Sequence, residues 1–219
     1  MSSRGKFIVI EGIDGAGTTT QAAMLAGALS ERGLTCLNTR EPSDGPVGVL
    51  IRSLLEKQIT PLREVYGDEW AERVTLSLLF AADREDHLSR TVSPALSAGA
   101  WVVSDRYFHS TCAYQMRDRE SLDWIIELHR HSLIPDITFF IDLDPKESLD
   151  RIEKRKSAEG KTEGDLFETL DQLKRIRSAY METITRLRER GDRLEIIDGC
   201  PDKDSVHTAI LRALTPLLP

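Results

Sequence analysis

Phe7-Ile8-Val9-Ile10-Glu11-Gly12-Ile13-Asp14-Gly15-Ala16-Gly17-Thr18-Thr19-Thr20-Gln21 is the stretch on which the architecture turns. Phe7 to Ile10 is a continuous apolar run, typical of a strand buried on both faces. Gly12, Gly15 and Gly17 follow, and then a helical stretch from Thr19 to Arg32 that ends at Gly33. A strand, a glycine-rich loop and a helix together let backbone N–H groups close around a phosphate, with the positive end of the helix behind them. The loop residues Gly12, Ile13, Asp14, Gly15, Ala16, Gly17, Thr18, Thr19 and Thr20 are the expected phosphate-binding set, and Thr19 is placed to ligate Mg²⁺. One position departs from the pattern: Thr18 stands where a lysine is expected after the last glycine. No lysine lies between Lys6 and Lys57. Lys6, at the far end of the strand, is ~17 Å away by strand geometry. Loss of one charge-stabilising donor costs ~10²–10³ in rate, so the loop argues for phosphate binding more firmly than for catalysis.

Outward from this loop, short apolar runs alternate with amphipathic ones. Further strands are expected at Leu34–Thr39, Trp101–Ser104, Ile137–Ile141 and Leu194–Ile197. Helices are expected at Val47–Lys57, Glu69–Ala98 with a bend near Pro94, Ser110–Leu133, Pro145–Arg155, Leu166–Arg190 and Asp204–Leu217. Such alternation predicts an α/β fold, a five-stranded parallel sheet with helices on both faces, and a ligand at the carboxyl ends of the strands. At 219 residues the chain fits one domain, 1–219. Lys156 to Asp165 is polar and aperiodic, the one candidate for a flap, which with its flanks makes a mobile lid at about 151–168.

Composition narrows the function classes. Hydrophobic residues are 40% and charged residues 30%, with a net charge of −7, an ordinary globular balance that argues against non-specific nucleic-acid binding. Cys36, Cys112 and Cys200 are too few and too scattered for a disulfide framework or a zinc site, and are read as reduced thiols in a cytoplasmic protein. The N-terminus runs straight into the first strand, too short for a signal peptide, and no apolar run approaches a membrane span. His109, His129 and His131 do not have metal-ligand spacing and are expected at the surface.

Two clusters add chemistry. Asp105-Arg106-Tyr107 follows the third strand, with Ser110, Thr111 and Ala113-Tyr114-Gln115 beyond it. A strand-end Asp beside a phosphate loop suits Mg²⁺, and an adjacent Arg grips phosphate through its bidentate fork. In Phe80-Ala81-Ala82-Asp83-Arg84, Phe80 and Arg84 share one helix face. A ring and a guanidinium on one face suit a nucleobase, while the plainer reading is a core Phe80 with a solvated Arg84.

Taken together with Thr39-Arg40-Glu41-Pro42, Arg52 and Pro135-Asp136, these elements resemble the thymidylate kinase family from Phe7 to the last helix. The resemblance implies transfer of the γ-phosphoryl group of ATP to dTMP, with Mg²⁺ held at Thr19 and Asp105, and a homodimer. It implies dTMP contacts from Asp14, Glu41, Pro42, Arg52, Phe80, Arg84, Arg106, Ser110, Thr111, Tyr114 and Gln115. In that carry-over Asp14 faces the sugar, Arg52 and Arg106 the acceptor phosphate, Phe80 and Arg84 the base. Asp14, Asp105, Arg106 and Arg155 form the catalytic set, and Arg155 and Arg106, with a lid lysine from Lys154, Lys156 and Lys161, are expected to cover the transferring phosphoryl group in place of the missing loop lysine. A second departure is Leu166, where many members carry arginine. Two alternatives stay open: a nucleotide-binding relative weakened by Thr18, and a kinase for another deoxynucleoside monophosphate.

Overall fold

The computed structural model describes residues 4–56, 58, 59, 64, 67–158 and 169–219. Five strands form one sheet: β1 (Phe7–Gly12), β2 (Cys36–Arg40), β3 (Trp101–Asp105), β4 (Ile137–Asp142) and β5 (Leu194–Asp198). Their order is β2-β3-β1-β4-β5 and every pairing is parallel. β1 lies at the centre, and Phe7 to Ile10 are fully buried, as a run without polar alternation requires.

Between the strands run α1 (Thr18–Glu31), α2 (Pro46–Leu55), α3 (Glu69–His87), α4 (Ser93–Ser97), α5 (Phe108–Gln115), α6 (Arg119–Leu128), α7 (Pro145–Ala158), α8 (Leu170–Arg190) and α9 (Lys203–Leu214). The β1 to β2 crossover runs in one direction along the sheet, and the later crossovers run in the other. Right-handed connections therefore put α1 on one face and α2 to α8 on the opposite one. α9 follows the last strand and packs on α1, completing the first face.

The sequence reading and the structure differ at element ends. β2 begins at Cys36 rather than Leu34. The helices expected over Ser110–Leu133 are two, α5 and α6, and Asp118 caps the second by accepting from the Ser121 N–H at 2.9 Å. The bend expected near Pro94 lies one turn earlier, as a π-turn over Leu88–Val92. Pro94 has no N–H to give the helix ladder, and the wider turn absorbs that loss just upstream. The expected lid falls largely on residues 159–168, outside the described residues, as do Lys161 and Leu166.

The amino ends of β1 and β4 are tied by Asp136, which accepts from the Phe7 N–H at 2.9 Å and from Lys6 Nζ at 3.0 Å. Lys6 is thus engaged at the edge opposite the glycine loop. Leu25 of α1 is wholly buried in the core cluster. Leu25→Ala is expected to cost ~2–5 kcal/mol, read as a lowered urea midpoint. A loss below ~1 kcal/mol would contradict a close-packed contact between α1 and the sheet.

Candidate active site

The site grows from the carboxyl ends of β1 and β3. β1 ends at Gly12, and the chain turns through Gly15 (φ 80°) and Gly17 (φ 89°) into α1. A side chain at Gly12 would meet Ile141 O at 3.0 Å, and one at Gly15 would meet Ser148 O at 2.8 Å. Glycine is therefore required at both places. Gly17 offers no side-chain cap, and the first turn of α1 holds no acidic residue, so the leading N–H groups of α1 are open to an anion. Thr18 is buried, whereas Thr19 is exposed.

Parallel pairing of β1 with β3 sets Ile10 opposite Asp105. Asp105 thereby reaches the loop, and Thr19 Oγ1 donates to its Oδ2 at 2.5 Å. Its Oδ1 is buried with no hydrogen-bond partner. A carboxyl oxygen left bare beside a hydroxyl fits a cation ligand, so Thr19 and Asp105 would be oxygen donors to Mg²⁺, with phosphate oxygens supplying the rest.

Arg106 follows in a left-handed conformation (φ 70°), the one non-glycine residue with positive φ among the described residues. That backbone costs ~1–3 kcal/mol and needs outside support. The Arg106 N–H donates to Ile10 O at 2.9 Å, and Ser104 Oγ donates to Arg106 O at 2.8 Å. Glu11 completes the hold. Its Oε1 accepts from the Tyr107 N–H at 2.7 Å, and its Oε2 accepts from Ser110 Oγ at 2.6 Å and Tyr180 OH at 2.9 Å. The Arg106 fork then donates to Gly12 O at 3.1 Å, Ser110 Oγ at 3.2 Å, Tyr180 OH at 3.3 Å and Asp14.

Burial opposes the charge on Glu11, but His109, Arg106 and Ser110 more than offset it and hold the carboxyl below its usual range. For Arg106, burial also works against charge, and Tyr114, Asp14, Tyr180 and Glu11 overcome it, keeping the guanidinium protonated.

Arg106 and Asp14 stand on the wall of a cavity of about 530 Å³ between α3, α5 and α8. Glu41, Pro42, Phe80, Arg84, Ser110, Thr111, Tyr114 and Gln115 line the same cavity. Phe80 is half-buried and outside the core cluster, so its ring is available to a ligand. Arg84 is the reverse of a solvated side chain. It is fully buried, with Nε and Nη2 on Glu41 Oε2 at 2.9 and 2.7 Å.

Besides Asp105, which faces the loop, Arg52 and Arg155 stand apart from the cavity lining. Arg52 donates to Pro42 O at 2.8 Å and Ser43 O at 2.6 Å, holding the 42–43 turn. Arg155 is exposed near the end of α7. The histidine expectation needs correction: His109 and His129 are buried beside Glu11 and Arg84, and only His131 is at the surface. Each meets a charged partner that distant strands and helices deliver, which local spacing could not show.

Sequence reasoning also missed Glu11 and Tyr180 as supports, and Leu55, Glu72, Tyr107, Gln172, Arg175 and Ile176 as cavity lining. Glu11 did carry a signal, because a carboxylate ending an apolar central strand must be buried and satisfied. Gln172, Arg175 and Ile176 carried none, since α8 reaches the cavity only through the fold.

Comparison with known proteins follows the same outline. A family model described as thymidylate kinase matches residues 10–210. The chain is 40% identical over 214 residues to a probable thymidylate kinase of Thermococcus kodakarensis, spanning 97% of this chain and 98% of that one. It is 39% identical over 210 residues to a thymidylate kinase of Ruegeria pomeroyi, spanning 94% and 92%. It is 35% identical over 216 residues to a thymidylate kinase of Nitrosomonas eutropha, spanning 96% and 93%.

Glu11→Gln is expected to destabilise the protein by ~1.5–3 kcal/mol at pH 7, because a charged acceptor is lost. A carboxyl whose pKa is lowered on folding stabilises fully above its ordinary 4.5, and that contribution shrinks as pH falls toward the folded value. Urea midpoints should therefore fall as the pH drops below about 4.5 in the parent chain, and fall less in Glu11→Gln. Equal acid sensitivity of the two would show that Glu11 is not the linked group.

Proposed function

The chain belongs to the thymidylate kinase family, and from that premise we propose how its own residues move the γ-phosphoryl group of ATP to dTMP, giving dTDP and ADP. The observation that carries the reading is one cavity with Asp14 and Arg106 beside the phosphate loop and Phe80 and Arg84 also on its wall.

Phe80 stacks on the acceptor base, and Arg84, Thr111 and Gln115 meet its polar edge. Glu41, Pro42, Ser110 and Tyr114 close the walls. Asp14 takes the sugar hydroxyl. Arg106 binds the acceptor phosphate and turns one of its oxygens toward the donor. That oxygen forms a bond to the γ-phosphorus as the bond to the β,γ-bridging oxygen breaks and ADP leaves. No covalent enzyme intermediate is needed, because positioning and charge neutralisation suffice.

The loop N–H groups from Gly12 to Thr20 cradle the donor phosphates. Thr19 and Asp105 would hold Mg²⁺, which supplies charge neutralisation on the donor phosphates. Thr18 leaves the loop without its own cation, and the Arg106 fork already sits on Gly12 O at the mouth of the loop. Arg106 therefore shares the charge of the transferring group, with Arg155 at the exposed end of α7. Arg52 acts on the acceptor side by holding the Pro42–Ser43 carbonyls in place.

No described helix is long and apolar enough to cross a membrane, and the three cysteines are free, both in keeping with a cytoplasmic enzyme. A homodimer belongs to the same reading. α2 and α3 pack on each other, and both expose large apolar side chains, Val49 and Leu50 on one and Leu78 on the other.

Coupled ADP release with ATP and Mg²⁺ should require dTMP. Arg106→Ala should lower kcat/KM by ~10²–10³, and Arg155→Ala by a smaller factor. ADP release indifferent to dTMP would overturn the reading. The buried Thr18 favours one second reading, nucleotide binding with weakened transfer. Turnover absent in the parent chain but restored by Thr18→Lys would establish it. For the dimer, light scattering should give twice the chain mass, and Leu78→Glu should shift it to one chain. A monomeric parent at micromolar concentration would refute that part.

A further inference from the structure

Pro42 lines the cavity just beyond the end of β2. It has no N–H, and its ring forms no hydrogen bonds, so its place in the wall is set by its neighbours. On one side, the Glu41 N–H donates to Asp105 O at 3.0 Å, and Glu41 Oε2 accepts from Arg84 Nη2 at 2.7 Å. On the other side, Ser43 is held by Asp83, the residue before Arg84 in α3. The Ser43 N–H donates to Asp83 Oδ2 at 2.7 Å, and Ser43 Oγ donates to Asp83 Oδ1 at 2.5 Å. Two donors on the two oxygens of one carboxyl group fix orientation as well as distance. Asp83 is 1% exposed and Ser43 4%, so water does not compete for either bond. A side chain at Gly48 would come within 2.0 Å of Ser43 O, so α2 lies directly on the turn from outside.

Two consecutive residues of α3 therefore grip the residues on either side of Pro42. The same helix carries Phe80, which lines the cavity less than one turn before Asp83. We propose that Asp83 is a positioning residue for the acceptor base: through Ser43 it holds Pro42 at a fixed spacing from Phe80, so that this wall of the cavity is set before the base arrives. The proposal rests on the reading of this cavity as the acceptor-nucleotide site. It extends that reading to a residue outside the cavity lining.

A wall set in advance has two consequences. No ordering of the turn has to be subtracted from the affinity for the acceptor. The cavity also keeps one size, and a larger base meets a wall that does not give way. Without Asp83, Ser43 loses both of its acceptors in a dry place, and the turn must shift to find others. Pro42 shifts with it, because nothing in its own ring anchors it.

The test uses the full chain and measures equilibrium binding of dTMP, dGMP and ATP, together with steady-state turnover. Asp83→Leu removes both acceptors at similar volume. Ser43→Ala removes only the hydroxyl bond, and answers the same question if the leucine variant does not fold. Asp83→Asn keeps an oxygen for the Ser43 N–H, and its amide can donate to Ser43 Oγ. The expected result is dTMP binding about tenfold weaker in Asp83→Leu and about threefold weaker in Ser43→Ala, the scale of one or two hydrogen bonds. The preference for dTMP over the larger dGMP should fall by similar factors. ATP affinity and kcat at saturating dTMP should stay within about twofold, and Asp83→Asn should recover most of the loss. In the Asp83→Leu background, Ser43→Ala should cost less than about twofold more, because its partner is already gone.

Unchanged dTMP binding and unchanged preference in Asp83→Leu, or in Ser43→Ala where the leucine variant does not fold, would overturn the proposal and leave the kinase reading intact. So would equal losses of dTMP and ATP affinity, which would mark the pair as a general support of the fold. A parent chain that binds no dTMP would overturn the reading of the cavity itself, and the proposal with it.

Discussion

A buried carboxylate, Glu11, ties three distant parts of the chain together. It ends the apolar run of β1, and its oxygens accept from the backbone of Tyr107, the hydroxyl of Ser110 and the hydroxyl of Tyr180. β1, the turn after β3 and helix α8 therefore meet at one group. The left-handed Arg106 exists because this group holds the next residue, and Arg106 in turn spans Gly12, Ser110, Tyr180 and Asp14. A charge so deeply buried is tolerated only when paired and hydrogen-bonded. Two of those partners, Tyr107 and Ser110, also line the cavity, so support and candidate site share their interactions.

A second buried charge pair, Glu41 with Arg84, repeats the arrangement on the base side. Glu41 takes both arms of the guanidinium through Oε2, and its Oε1 lies 3.2 Å from His87 Nδ1. His87 Nε2 lies 2.7 Å from Thr39 Oγ1, so the end of β2 is bound into the network. Such pairs are weak sources of net stability, because desolvation offsets most of the attraction. Their value here is geometric. They keep the cavity wall from relaxing onto itself.

Much of the fold was legible locally. An unbroken apolar run requires burial on both sides, which means a parallel sheet covered by helices. Gly15 and Gly17 marked backbone turned through positive φ, and Thr19 and Asp105 could be paired because one lies in the first turn of the helix that follows β1 and the other ends β3. The site was legible where residues cluster in sequence, as in Asp105-Arg106 or Phe80 with Arg84. It was not legible where one residue answers another far along the chain. His129 reads as a surface residue after a polar helix end, yet it is buried against Arg84, 45 positions earlier. Tyr180 reads as one aromatic residue of a long helix, yet it completes a carboxylate 169 positions away.

The sequence by itself determined the elements, their parallel order of use and the phosphate loop, because apolar periodicity, glycine torsions and helix termini are short-range properties. It also determined that Thr18 leaves the loop without a cation of its own. Only the tertiary structure decided which guanidinium hydrogens are spent on the protein. Only the structure moved Arg52 off the cavity wall and brought α8 onto it. The physical reason is that hydrogen-bond satisfaction in a dry interior is a property of all the groups assembled there, and no segment of chain contains more than one or two of them.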